Sequence, residues 1–259
     1  TDVLTEVARI FREEPAKVYK NRTALTKALE EQSATARPGE PTPQVPVVVA
    51  EKLAELMDPE NGGIRGAPKF PQVPLLTLLW RAQLRTGRDE FAAPVTRALD
   101  HMSEGGIYDH LGGGFARYAT DNSWLVPHFE KMLYDNAQLL ELLTWAWQET
   151  KNPLYAQRVH ETVAWMLREM RVEGGAFAAA LDADSEHEEG KFYVWTAAEI
   201  EAVLGSEAAL FKSHYDVHRI GNWEGKSILN RSDKPDLVDA ETEARLATAR
   251  AKLLQVRER

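Results

Sequence analysis

Apolar side chains recur three and four residues apart over most of this chain, in runs of roughly 12 to 20 residues, and that pattern commits it to packing helix against helix. Val3, Leu4, Val7, Ile10 and Phe11 form one stripe; Val18, Leu25 and Leu29 form a second, opened by Pro15. Pro46 fits the first turn of a helix reaching about Met57, and another runs from Pro74 through Leu75, Leu78, Leu79 and Leu84 to Gly87. A further helix spans about Arg88 to Ser103, and Lys131–Thr150 carries Leu133, Leu139, Leu140, Leu143 and Trp147. Asn152 as N-cap and Pro153 at the first helical position delimit the next, with Tyr155, Val159, Val163, Met166, Leu167 and Met170 before Gly174. Only Ala176–Ala183 and Lys191–Thr196 look extended; they flank an acidic turn and read as a hairpin with each other.

A Gly-Gly-apolar unit recurs as Gly62-Gly63-Ile64, Gly105-Gly106-Ile107 and Gly174-Gly175-Ala176-Phe177. It reads as a helix stop followed by an apolar residue that turns back inward. The unequal intervals predict helical hairpins with loops of differing length, not a solenoid of fixed period. Ala34–Pro46, with Pro38, Pro41, Pro43 and Pro46, reads as an extended linker. The expected division is a helical connector with this linker over 1–45 and the main domain over 46–259.

At 259 residues the chain can bury a full core without staples. Its 31 Lys and Arg against 40 Asp and Glu leave a net charge of −9, which argues against nucleic-acid and anionic-membrane partners. The absence of cysteine removes disulfides, thiol nucleophiles, Cys-ligated zinc and iron–sulfur clusters, and fits a cytoplasmic protein. Asp2, Glu6, Arg9, Arg12, Glu13 and Glu14 read against a secretory leader, and no apolar stretch approaches the roughly 20 residues of a membrane span.

Chemistry concentrates in four Gly- and Pro-rich loops. The richest, 105–138, packs Tyr108, Asp109, His110, Phe115, Arg117, Tyr118, Asp121, Trp124, His128, Glu130, Tyr134 and Asp135 into one segment. Aromatic rings beside titratable groups suit a ligand pocket. The plainer reading is a cluster that caps and buttresses the following helix. Gly112-Gly113-Gly114 lacks the preceding strand and following Lys-Ser/Thr of a phosphate loop. In 181–196, Asp182, Asp184 and Glu186 have calcium-loop spacing, but His187 stands where glycine is required. Either that run is a solvated acidic turn, or Asp182 and Asp184 face the same pocket. Lys69 in 62–71 and Trp223 in 221–230 are the salient side chains of the other two loops. His214 and His218 have metal-compatible spacing but no helix cap to anchor them, and neither a metal nor a cofactor is expected.

The runs GAPKFP at 66–71, GGIYDHLGGGFARYATDNSWLVPHFEKMLYDNAQLL at 105–140, ALDADSEHEEGKFYVWT at 180–196 and GNWEGKSILN at 221–230 resemble the YyaL-type family of thioredoxin-domain-containing proteins. That family includes the spermatogenesis-associated thioredoxin-like proteins of animals. The resemblance implies a thioredoxin-like domain followed by an (α/α)6 toroid like those of N-acylglucosamine 2-epimerases and six-hairpin glycosidases. With no cysteine and no room before residue 46, this chain is expected to lack the thioredoxin-like domain and to cover the first part of the toroid. The expected fold is therefore mostly α: a partial (α/α)6 toroid of helical hairpins with a small β-hairpin. A truncated ring would expose apolar faces and favour self-association.

Toroid relatives act on sugars with paired acid and base groups. The expected function is a carbohydrate-active, epimerase- or glycosidase-like domain with a small saccharide ligand. His128, Glu130, Asp135, Asp121, Asp182 and Asp184 are its candidate catalytic residues. Lys69, Tyr108, Arg117, Tyr118, Trp124, Tyr134 and Trp223 are its candidate binding residues. The alternative is a non-catalytic platform for a peptide or for the thioredoxin-like domain; a helical-repeat adaptor is a weaker third. Two carboxyl groups about 5–10 Å apart across an open pocket favour the enzyme. Carboxylates all locked in Arg or Lys pairs favour the scaffold.

Overall fold

The structure is a computed structural model and describes residues 2–33, 42–235 and 237–258. The chain forms two units, Thr1–Pro43 and Gln44–Arg259. In the first, α1 (Asp2–Glu13) packs on α2 (Pro15–Ser33), and Arg9 gathers Glu6, Glu13 and Glu14 at 2.7, 3.1 and 3.1 Å. Pro15 opens α2 as expected. The greater part of the proposed linker, residues 34–41, lies outside the described residues.

The second unit begins with α3 (Val45–Leu56), α4 (Val73–Thr86) and α5 (Asp89–Glu104). It continues with α6 (Leu133–Thr150) and α7 (Pro153–Trp165), the latter extended by a π-helical turn at Met166–Met170. Gly87 stops α4 in the left-handed region, its N–H bonded to Gln83 O, and the Asn152 side chain accepts from Leu154 N–H at 3.0 Å to cap α7. Such short links make α4–α5 and α6–α7 antiparallel hairpins. Within the hairpins α4 meets α5 and α6 meets α7, and across them α3 meets α4 and α5, α4 meets α6, and α5 meets α7. Helices of alternate order thus lie side by side in two layers, the curved arrangement of an α/α ring. Phe91, Val95, Leu99 and Met102 line one side of α5 against Leu76, Leu79 and Trp80 of α4. A second core joins α8 (Ala197–Leu204), α9 (Ala208–His214) and α10 (Ala240–Arg257). Among the described residues, no helix is long and apolar enough to cross a membrane.

The strands are two-residue pairs that tie loops together. β1 (Tyr118–Ala119) pairs with β2 (Pro127–His128), β3 (Lys131–Met132) with β4 (Ala180–Leu181), and β5 (Asp184–Ser185) with β6 (Glu188–Glu189), all antiparallel. The expected pairing of 176–183 with 191–196 does not occur. Glu186 and His187, at φ 53° and 66°, form a two-residue turn within the acidic run and close a smaller hairpin there. The flanking segments then find other partners, Leu181 opposite Lys131 and Trp195 bridging Ser227.

Gly106 is required by close approach, not by its dihedrals. A Cβ there would lie 2.0 Å from Leu125 O and 2.5 Å from Ile228 Cγ2. Gly106→Ala is expected to cost about 2–3 kcal/mol in urea unfolding, because a backbone carbonyl is the obstacle. A loss under about 0.5 kcal/mol would show that the loop yields instead.

Candidate functional site

Backbone pairing and a ring contact bring all four polar loops together. Lys69 and Ala119 exchange N–H···O bonds of 2.8 Å in both directions, joining 62–71 to the long loop. The β3–β4 pair attaches the 180s, and the Phe129 and Trp223 rings, 5.5 Å apart, attach 221–230. Asn136 on α6 anchors the glycine-rich stretch: its Oδ1 accepts from Phe115 N–H at 2.7 Å and its Nδ2 donates to Phe115 O at 2.9 Å.

At the centre is a ladder of rings. The β1–β2 register sets Tyr118 opposite His128, and their rings stack at 4.9 Å; Phe70, adjacent to the bridged Lys69, stacks on Tyr118 at 4.6 Å. Carboxylates rim this face. Glu130 Oε2 lies 2.9 Å from an Arg117 guanidinium nitrogen and 4.0 Å from His128 Nε2, and His128 Nδ1 lies 2.7 Å from Glu189 Oε1. Asp135 projects from the first turn of α6 beside Tyr134, with its Oδ2 buried and without a hydrogen-bond partner. Burial pushes its carboxyl up to about 6, against the opposing pull of Arg117 and Tyr134, and the Glu130 charge adds to the rise.

Of the residues expected from sequence, His128, Glu130, Asp135, Arg117, Tyr118 and Tyr134 gather here. Asp184 is exposed and stands opposite Glu189; Asp182 is exposed and accepts from the Asp184 N–H at 3.2 Å. The others are elsewhere. Asp121 holds its own loop, accepting from Ser123 N–H at 2.6 Å and Leu125 N–H at 3.2 Å, and such bonds overcome burial to keep its carboxyl below the usual range. Trp124 is fully buried and donates from Nε1 to Asn61 O at 2.8 Å. Tyr108 is buried and donates to Glu161 Oε2 at 2.7 Å. Lys69 is buried against Asp58 and Gly62 O, each at 2.6 Å, and Trp223 is half-buried on Phe129.

Sequence reasoning did not single out Phe70, Glu189 or Asn136 for the site. Nor did it find the charge cluster beneath it. Buried Asp109 accepts from Lys131 Nζ at 2.8 Å and from both terminal nitrogens of Arg257, at the end of α10, at 2.8 Å. Burial alone would raise the Asp109 carboxyl, but Arg257 and Lys131 hold it well below the usual carboxylate range. The cavity lined by Tyr108, Asp109, His110, Phe129, Lys131 and Tyr193 measures about 30 Å³, enough for water and too small for a sugar. Phe70, Tyr118 and His128 are not among its lining residues, and larger hollows lie elsewhere, one of about 660 Å³ beside Asp100, Asn152 and Leu237. Among the described residues, no group of three or more His, Asp or Glu side chains is arranged to hold a metal ion.

No family model matches the chain. It is similar to spermatogenesis-associated protein 20 of Mus musculus, with 36% identity covering 72% of this chain and 25% of that protein. The protein of the same name in Homo sapiens is 38% identical over 66% of this chain and 24% of its own length. The chain thus spans about a quarter of the length of these curated relatives. Among solved structures it is similar to a sugar epimerase from a ruminal bacterium, at 15% identity and a TM-score of 0.47, covering 78% of this chain and 50% of that one.

Proposed function

We propose that this chain belongs to the thioredoxin-domain-containing family that its loop motifs resemble, and that its helical arc is a carbohydrate-active, epimerase- or glycosidase-like domain. The similarity to spermatogenesis-associated protein 20 supports the family. The observation that carries the activity is the ladder Phe70–Tyr118–His128, stacked at 4.6 and 4.9 Å and rimmed by Glu130, Asp135 and Glu189. Tyr118 is covered on both faces, so Phe70 and His128 at the ends of the stack are the rings with a face left to take the C–H face of a pyranose, while carboxylates accept from its hydroxyls. Proton transfer needs two groups with unlike environments. Asp135, half-buried and without a partner on Oδ2, is the proton donor; Glu130, ion-paired to Arg117, is the acceptor or the charge-stabilising partner, with His128 4.0 Å from Glu130 and held by Glu189. A cytoplasmic setting stays part of this reading, on the cysteine-free composition.

One observation favours the second reading, a peptide-binding platform: Glu130 and Glu189 are both engaged, by Arg117 and His128. Titration with a panel of mono- and disaccharides, followed by ligand-observed NMR, separates the two. Saccharide binding is expected, weakened at least about fivefold by Tyr118→Ala, which removes the middle ring. If no sugar in a broad panel binds the unaltered chain, the carbohydrate reading is sunk and the platform stands.

A further inference from the structure

The charges around this face point to the kind of sugar it takes. Its basic groups are already engaged. Arg117 holds Glu130 at 2.9 Å, His128 sits between Glu189 and Glu130, and Lys226 holds Glu188 at 3.0 Å. Lys191 holds Glu186. Lys69 and Lys131 are sealed beneath the surface against Asp58 and Asp109, at 2.6 and 2.8 Å. The anions are in surplus. Asp182 and Asp184 are exposed and have no cationic partner among the described residues. Asp184 stands directly across the β5–β6 ladder from Glu189, and like charges in that position repel at a Cβ separation of about 5 Å. One histidine serves both Glu189 and Glu130.

A uronate carboxylate or a sugar phosphate would bring another anion to a rim with no cation to spare. An ammonium group would relieve the Asp184–Glu189 repulsion. We infer that the saccharide bound here is amine-bearing, a hexosamine with a free amino group, and that anionic sugars are rejected. This inference rests on the Phe70–Tyr118–His128 face being a sugar site.

The test is calorimetric or NMR titration of the full chain with glucosamine, N-acetylglucosamine, glucose and glucuronate, at about pH 6.5 where the free amine is protonated. Glucosamine is expected to bind about two- to fivefold tighter than its N-acetyl counterpart at low salt, the range of a solvent-exposed ion pair. The preference should shrink at high ionic strength and vanish in the Asp184→Asn, Glu189→Gln double variant. Both side chains are exposed, so that variant should keep its fold, as circular dichroism will register. Equal affinity for glucosamine and N-acetylglucosamine, or tighter binding of glucuronate, overturns the inference and leaves the sugar site standing. Binding of none of the four sugars or of a broader panel overturns the site itself, and the inference with it.

Discussion

Asp109→Ala is expected to lower the stability of the Gln44–Arg259 unit by about 3–5 kcal/mol, or to prevent its folding at 37 °C. The carboxylate accepts from Lys131, from both terminal nitrogens of Arg257, and from the Leu111 and Gly112 amides at 3.0 Å. The Lys131 and Arg257 side chains are only 2% and 3% exposed, so removing Asp109 strands two cations out of water. Burial already holds the Lys131 ammonium below its usual range, with the neighbouring Arg257 charge pushing the same way and Asp109 opposing. Because Arg257 belongs to the last turn of α10, its release should loosen that helix first, visible as faster amide exchange there. Urea unfolding measures the loss, and a change under about 1 kcal/mol would mean that water reaches the cations. Asp109→Asn should fall between, since it keeps acceptor capacity without the charge. The pH dependence has a definite sign. The folded carboxyl titrates well below its unfolded counterpart, so its stabilisation is present above about pH 4 and is lost progressively as the pH falls below that. Asp109→Asn should lack that part of the acid limb.

On the proposed sugar chemistry, in which Asp135 gives up the proton, Asp135→Asn is expected to lower saccharide turnover by about 10²–10⁴-fold, and independently of it to make the fold more stable at neutral pH. An amide in place of such a proposed donor has no proton of that acidity to give. The stability change runs the other way because the folded carboxyl titrates near 6, above the usual aspartate range. The native state therefore binds the proton more tightly than the unfolded chain does. Wild-type stability should decline as pH rises from about 4 to 6 and stay lower above that. The asparagine variant should not show the decline and should exceed wild type at pH 7 by about 1 kcal/mol, a figure discounted for partial solvent access. Thermal unfolding at pH 4 and 7, beside a rate–pH profile, checks both halves. Unchanged turnover would remove Asp135 from the chemistry; lower stability at pH 7 would mean that its ionised form is stabilised after all.

The helices up to Met170 were legible because their signals are local; α8, α9 and α10 were not singled out. Stripe spacing, Pro15, Pro46 and the Asn152–Pro153 pair act within a turn or two of themselves, and the elements begin where those residues stand. The hairpin was not legible in its partner. Extended character says nothing about which segment lies opposite, and Glu186 and His187 carry no sequence mark of their positive φ. Within the long loop, side-chain chemistry was readable but direction was not. Trp124 and Tyr118 are both aromatic and six positions apart, yet one is sealed with Asn61 and the other is half open between Phe70 and His128.

The amino-acid order by itself determined the helical elements up to Met170, their stops, and the concentration of polar and aromatic groups in four loops, because caps, periodicity and turn preferences act over a few residues. Only the tertiary structure decided that His128 meets Glu189, 61 residues on, and that Asp109 meets Arg257, 148 residues on. Such pairs are selected by what each charge would cost if left buried alone, and that cost exists only once the surrounding helices have closed over it.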